Sequence, residues 1–171
     1  MTLQPLLDAS FAIQLHAAAA ILAFLVGAVV LFRRKGDRRH RLAGRIWVAL
    51  MVVVSLSSFF IHTLNVWGIW SPIHLLSLAT LAALVYAVAA IRRRDVATHE
   101  RTMKTTYLGA LVVAGIFTFM PGRIMNEVLF GGPRPIEGAA LLAAVALAGA
   151  VMMWMRLRPS PRRPGGIAAS R

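Results

Sequence analysis

Apolar and polar positions come in blocks along this chain. Five apolar stretches run roughly Phe11–Phe32, Ile46–Trp67, His74–Ile91, Thr105–Met120 and Gly138–Met155. A helix needs about 20 residues to cross a bilayer, within a range near 17–25, so these lengths predict five crossings. The fourth run is short, and its helix is expected to start earlier, near Thr98, with His99, Glu100 and Arg101 in the head-group layer. Val52-Val53-Val54 favours strand, yet an unpaired strand in hydrocarbon leaves its backbone groups unsatisfied. The pattern therefore predicts an all-α polytopic transmembrane bundle over residues 1–158, with helices near 11–32, 46–67, 74–91, 99–120 and 138–155. The tail 159–171 (PSPRRPGGIAASR) is rich in Pro, Gly and Arg, and is expected to be disordered beside the membrane.

Composition agrees with a lipid solvent. Of 171 residues, 58% are hydrophobic and 15% charged, against about a quarter charged in soluble domains. A soluble fold of this size leaves too much surface exposed to hide that apolar content. Met1–Ser10 carries Asp8 and no Lys or Arg, so the first helix is not expected to be a cleaved signal peptide. The absence of cysteine excludes disulfides, thiolate metal sites and cysteine nucleophiles.

The formal charge of +13 changes the picture only through its placement. Clustered Lys and Arg can mark nucleic-acid binding, but here they sit in short blocks between apolar runs, without aromatic residues for stacking bases. Seven basic residues lie in Arg33–Arg45, five in Arg92–Lys104 and five from Arg156 onward, while the opposite side of an alternating five-helix chain has only Arg123 and Arg134. The positive-inside bias places the N-terminus outside and the C-terminus in the cytoplasm, as expected of a multi-pass protein of the inner (plasma) membrane. The basic blocks would meet anionic lipid head groups. Trp47 and Trp154 are expected in the inner interfacial belt, Trp67 and Trp70 in the outer one. Within the outer loop 121–137, Ile124, Met125, Val128 and Leu129 predict a short surface helix beginning at Pro121.

Five histidines are the candidate chemistry. His16, His62 and His74 fall toward the outer side, and His16 lies about 9 Å into helix 1. Helix 2 carries His40, Gly44, Trp47, Met51, Ser55, Ser58 and His62 on one stripe, because 22 residues turn about 40° past six revolutions. Helix 1 offers His16, Ala20, Ala23 and Gly27 as a small-residue face, and helix 4 offers His99, Met103, Thr106, Ala110, Val113, Phe117 and Met120. A pair among His16, His62 and His74 could clamp haem b, with Arg123 near a propionate or paired with Glu127. Copper or zinc would use the same imidazoles, with Met120 or Met125 favouring Cu(I). The bland alternative makes each histidine an interfacial residue satisfied by head groups or water. His40 and His99 sit amid arginine, so His40, Arg41, Arg45 and His99 are read as an anionic head-group site, set against a merely solvated basic block. None of the six acidic residues lies inside an expected span, which disfavours intramembrane proteolysis, proton transport through buried carboxylates and carboxylate metal sites.

His40-Arg41-Leu42-Ala43-Gly44-Arg45, followed by Ile91-Arg92-Arg93-Arg94-Asp95 with His99 and Met103, resembles a family of small bacterial predicted membrane proteins classed as domain of unknown function 2306. The resemblance covers about His16 to Arg123 and includes a first-helix histidine, here His16, and an arginine after the fourth helix, here Arg123. Thr102 stands where such proteins often carry Trp or another apolar residue. The resemblance implies a membrane location and no established reaction. A looser likeness, resting on histidine placement, is to b-type cytochrome four-helix bundles. Three readings follow: a haem- or metal-linked redox protein; a non-enzymatic assembly factor, small transporter or partner subunit, with Ala139, Ala143, Ala146 and Ala150 as a face for another subunit or a second copy; and an anionic-lipid or polyprenyl-phosphate binder.

Overall fold

A computed structural model describes residues 2–62, 68 and 71–131, and every regular element among them is helical. The expected helix 138–155, the tail, Trp67, Trp70, Trp154 and Arg134 lie outside the described residues. After a single turn, α1 (Gln4–Leu7), come α2 (Phe11–Phe32), α3 (Arg38–Ser58) and α4 (Pro72–Arg92). These last three are long and apolar enough to cross a membrane. The chain continues through α5 (Val96–Thr106), a π-helical segment (Tyr107–Val113) and α6 (Ala114–Thr118), then α7 (Ile124–Phe130).

Local chemistry moves several ends away from the expected ones. Helix α3 starts eight residues before the expected Ile46 because Asp37 caps it, its carboxylate accepting the His40 backbone N–H at 2.5 Å. It also stops early, at Ser58. Ser57 and Ser58 turn their hydroxyls back onto the carbonyls of Val54 and Ser55, and Phe59, Phe60 and Ile61 bond three residues back instead of four. Short polar side chains near a helix end compete with the ladder in this way. His62 therefore follows the helix instead of closing it. Between α4 and α5, Arg94 adopts the left-handed region with φ 64°, and the Asp95 N–H reaches back to the Ala90 carbonyl at 3.0 Å. The surface helix beyond the fourth segment is found as α7, whose buried Asn126 donates to the Phe119 carbonyl at 2.9 Å.

Each long helix packs on its sequence neighbour, and the π segment returns to α2, closing an up-and-down bundle. Its centre is apolar: Ala23, Trp47, Met51, Leu84, Tyr107 and Leu111 form one buried cluster. Trp47, expected in an interfacial belt, is 4% exposed within that core. The reason is Gly27. With no side chain there, the Trp47 indole and the Tyr107 ring approach the α2 backbone, while the Tyr107 hydroxyl donates to the Phe24 carbonyl at 3.2 Å. The expected stripe of the fourth helix holds through Thr106 and then breaks. A π segment adds residues to the turn, so Tyr107 and Leu111 face inward while Val113, Phe117 and Met120 are exposed.

A methyl group on Gly27 would lie 2.5 Å from Trp47 Nε1 and 2.6–2.7 Å from Tyr107 ring carbons. Gly27→Ala is expected to lower stability by about 1–3 kcal/mol, as overpacking does. Gly44→Ala, where nothing lies within 4 Å of the added atom, should hold or raise stability by up to about 1 kcal/mol. Thermal unfolding of both variants in detergent checks the pair.

Candidate functional site

Two polar layers flank the apolar centre. Along α3 they are separated by the rise from His40 to Ser58, roughly 27 Å.

The layer away from the arginine blocks is built from hydroxyls and imidazoles. His16 lies half-buried on the α2 face that also carries Ala19, Ala23 and Gly27. Its Nδ1 is 3.0 Å from the Val54 carbonyl and 3.1 Å from Ser57 Oγ on α3. A carbonyl only accepts, so Nδ1 carries the proton and Nε2 the lone pair. Ser58 donates to the Ser55 carbonyl at 2.8 Å, which leaves Ser77 as donor in the 2.6 Å bond between the two hydroxyls that ties α3 to α4. His74, 2% exposed, has a different task. It occupies the third position of a capping box: its own N–H bonds the Ser71 hydroxyl, and its Nδ1 accepts the Ser71 N–H at 3.0 Å. This is the geometry usually made by Glu or Gln, and it directs the proton of a neutral His74 ring to Nε2. The His62 ring stacks on His74 at 5.6 Å and the Phe59 ring at 5.8 Å.

The structure thus brings His62 and His74 together and ties His16 to α3. Among the described residues, no three of the His, Asp and Glu side chains converge on a point that a metal ion would occupy. Arg123, at the same end, lies with its guanidinium 4.7 Å from the centre of the Phe117 ring.

The other layer is charged. Glu100 sits between Lys35, from the α2–α3 loop, and Lys104 at 2.6 Å, one turn further along α5. Arg33 pairs with Asp37 at 3.2 Å, and Arg41 donates to the Gly36 carbonyl at 3.0 Å, closing the same loop. Arg45 is exposed. Beneath this clasp, the His99 Nδ1–H donates to the Ala87 carbonyl of α4 at 2.9 Å, leaving the lone pair on Nε2. His40 places a buried Nδ1 that meets no hydrogen-bond partner.

Sequence reasoning missed Ser57, Ser71, Ser77 and Thr80 as members of a buried polar seam, and His74 as a cap. The signal was present. Ser71, His74, Ser77 and Thr80 recur every three residues and are followed by Leu84, Ala87 and Ala90, all buried.

Hydrogen bonds from Lys104 first, and then from Lys35, hold the Glu100 carboxyl at about 2 against an ordinary 4.5. A depressed carboxyl stabilises fully above its unfolded value and loses that contribution as pH falls through the folded one. The clasp should therefore weaken between pH 4.5 and about 2. For so exposed a pair the effect is at most about 1 kcal/mol. Unfolding midpoints measured across that range should fall less in Glu100→Gln than in the wild type.

No curated protein and no solved structure matches the chain. The family described as "Predicted membrane protein (DUF2306)" matches residues 13–154, most of the length and all of both polar layers. By that match, the chain belongs to the DUF2306 family of predicted membrane proteins.

Proposed function

We propose that this membrane protein is a redox carrier that holds haem iron through imidazoles at each end of its bundle. One observation carries the reading: His16 and His99, at opposite ends, each fix Nδ1–H on a carbonyl of a neighbouring helix, Val54 and Ala87, and so present the Nε2 lone pair. Ligating histidines are commonly oriented this way, with the second ring nitrogen donating to a carbonyl or carboxylate. At the basic end His40 is the second imidazole, and the unsatisfied buried Nδ1 supports that role. This assigns His40 and His99 inward, with the head-group contacts of the HRxxGR block left to exposed Arg45. At the other end His62 is the second imidazole. His74 orients it by ring stacking, while its own Nδ1 serves the α4 cap. Arg123 supplies positive charge for a propionate at that end.

Haem would supply one-electron chemistry when bound. The chain's own contribution is to fix ring orientation through backbone carbonyls and to hold the two layers apart with the Trp47–Met51–Leu84–Leu111 core. Its charge distribution supports an orientation with the Lys35–Glu100–Lys104 end in the cytoplasm, five spans, and the multi-pass inner-membrane placement of the positive-inside rule.

Detergent-purified protein should show a Soret band that sharpens on dithionite reduction. His16→Ala and His99→Ala should each remove about half of the haem per chain, and His74→Ala, which removes the side-chain half of the α4 cap, should lower thermal stability. Colourless protein from cells supplied with haem precursor would refute the reading. A reporter fused behind Arg171 should be active only in the cytoplasm. Periplasmic activity would reverse the assignment of the two layers.

A further inference from the structure

A groove of about 280 Å³ opens between α4 and α5 at the basic end, lined by Tyr86, Thr98, Arg101, Thr102 and Thr105. Tyr86, Arg101 and Thr105 are exposed, so it lies on the outside of the bundle. Its lining carries polar groups where the flanking α4 surface is apolar: Val85 is 71% exposed. Two of the five lining residues are already committed. Thr98 completes the Asp95 cap, its N–H 3.0 Å from the carboxylate, and Thr105 turns its hydroxyl onto the Arg101 and Thr102 carbonyls at 3.1 and 2.9 Å. The donors left for a ligand are the Arg101 guanidinium, which has no acidic partner among the described residues, and the Tyr86 and Thr102 hydroxyls. A guanidinium flanked by two hydroxyls in a shallow groove is a phosphate-binding set. The turn Arg92–Arg94 beside it adds further positive charge.

The groove also has a continuation that a free anion would not need. Toward the middle of α4, Ala82 and Ala79 follow Tyr86 on the same face, and both are exposed. On the facing helix Gly109 follows Thr105 by one turn, and a side chain added there would meet nothing within 4 Å. These exposed positions run along α4 from Tyr86 to Leu75, which is 59% exposed. Eleven residues of helix are roughly 16 Å, about half of the ~30 Å hydrocarbon core. That is the reach of one leaflet's acyl chain.

We propose that this groove and the exposed row of small residues beside it form a binding site for one anionic glycerophospholipid, with its phosphodiester on Arg101, Tyr86 and Thr102 and an acyl chain along Ala82, Ala79 and Gly109. The site is separate from the imidazole layers and does not depend on haem. The nearby basic turn selects an anionic head group over a zwitterionic one, and the exposed apolar row selects a lipid over free phosphate.

Full-length protein in detergent is titrated with phosphatidylglycerol or phosphatidylcholine, and the lipid retained is counted by native mass spectrometry. Phosphatidylglycerol should be retained in preference, with one copy resistant to dilution. Arg101→Gln should weaken that copy about fivefold, the effect of one basic residue at a lipid surface. Ala82→Trp, which places a bulky ring in the path of the acyl chain and leaves every phosphate donor in place, should weaken it as well. Arg34→Gln, at an exposed basic residue of the α2–α3 loop, should not. Equal retention of the two lipids by the wild type, or unchanged phosphatidylglycerol retention in both Arg101→Gln and Ala82→Trp, would overturn the proposal. Displacement of the lipid by millimolar inorganic phosphate would also overturn it, because the site would then be one for a free anion.

Discussion

The missing side chain at Gly27 sets the register of the whole bundle. Because the α2 backbone is bare there, the Trp47 indole and the Tyr107 ring close on it from two other helices, and three helices lock at one level. In a lipid solvent no hydrophobic force drives helices together, so close backbone approach and dispersion must supply the attraction. The other positions follow by helical geometry. His16 lies three turns from Gly27 on the same face, His40 two turns before Trp47, and His99 about two turns before Tyr107. Steric fit at the centre thereby decides which imidazoles meet which helices at the ends.

The two ends use different means to satisfy polar groups. One end relies on neutral hydroxyls and rings bonded to carbonyls, as at Ser57, Ser58, Ser77 and the Ser71–His74 cap. Hydrocarbon demands that buried donors and acceptors find partners inside the protein, and small hydroxylated residues do so without carrying charge into the bundle. The other end carries ion pairs in the Arg33–Asp37 and Lys35–Glu100–Lys104 clasp, where water and head groups screen them. Pinned to α4 through Ala87 beneath that clasp, His99 sits at the boundary between the charged rim and the apolar core.

Much of the architecture was legible in the apolar blocks. The first and third helices were placed to within two residues at each end, and the helix beyond Pro121 was foreseen from four apolar positions. The inner stripe of the second helix holds from Trp47 to Ser58, and that of the first holds at Ala23 and Gly27, with Ala19 buried in place of Ala20. Less visible were features that depend on a second helix or on backbone detail. An aromatic residue near the expected end of a helix reads as a belt residue unless a glycine on the neighbouring helix makes room for it. Trp47 is such a case. A stripe extrapolated at 3.6 residues per turn misses Val113 and Phe117, because nothing in YLGALVV announces a π segment.

By itself, the sequence determined that this is an apolar helical protein of the DUF2306 family, with basic turns gathered at one end and histidines at both. Those properties are sums over residues, and hydropathy and charge add along a chain whatever its tertiary arrangement. The tertiary structure alone decided which nitrogen of each imidazole is committed. Val54 and Ala87 take the Nδ1 protons of His16 and His99, whereas His74 surrenders Nδ1 as an acceptor to its own cap. A hydrogen bond depends on ångström-scale distance and direction between groups far apart in the chain, and composition and spacing carry no record of either.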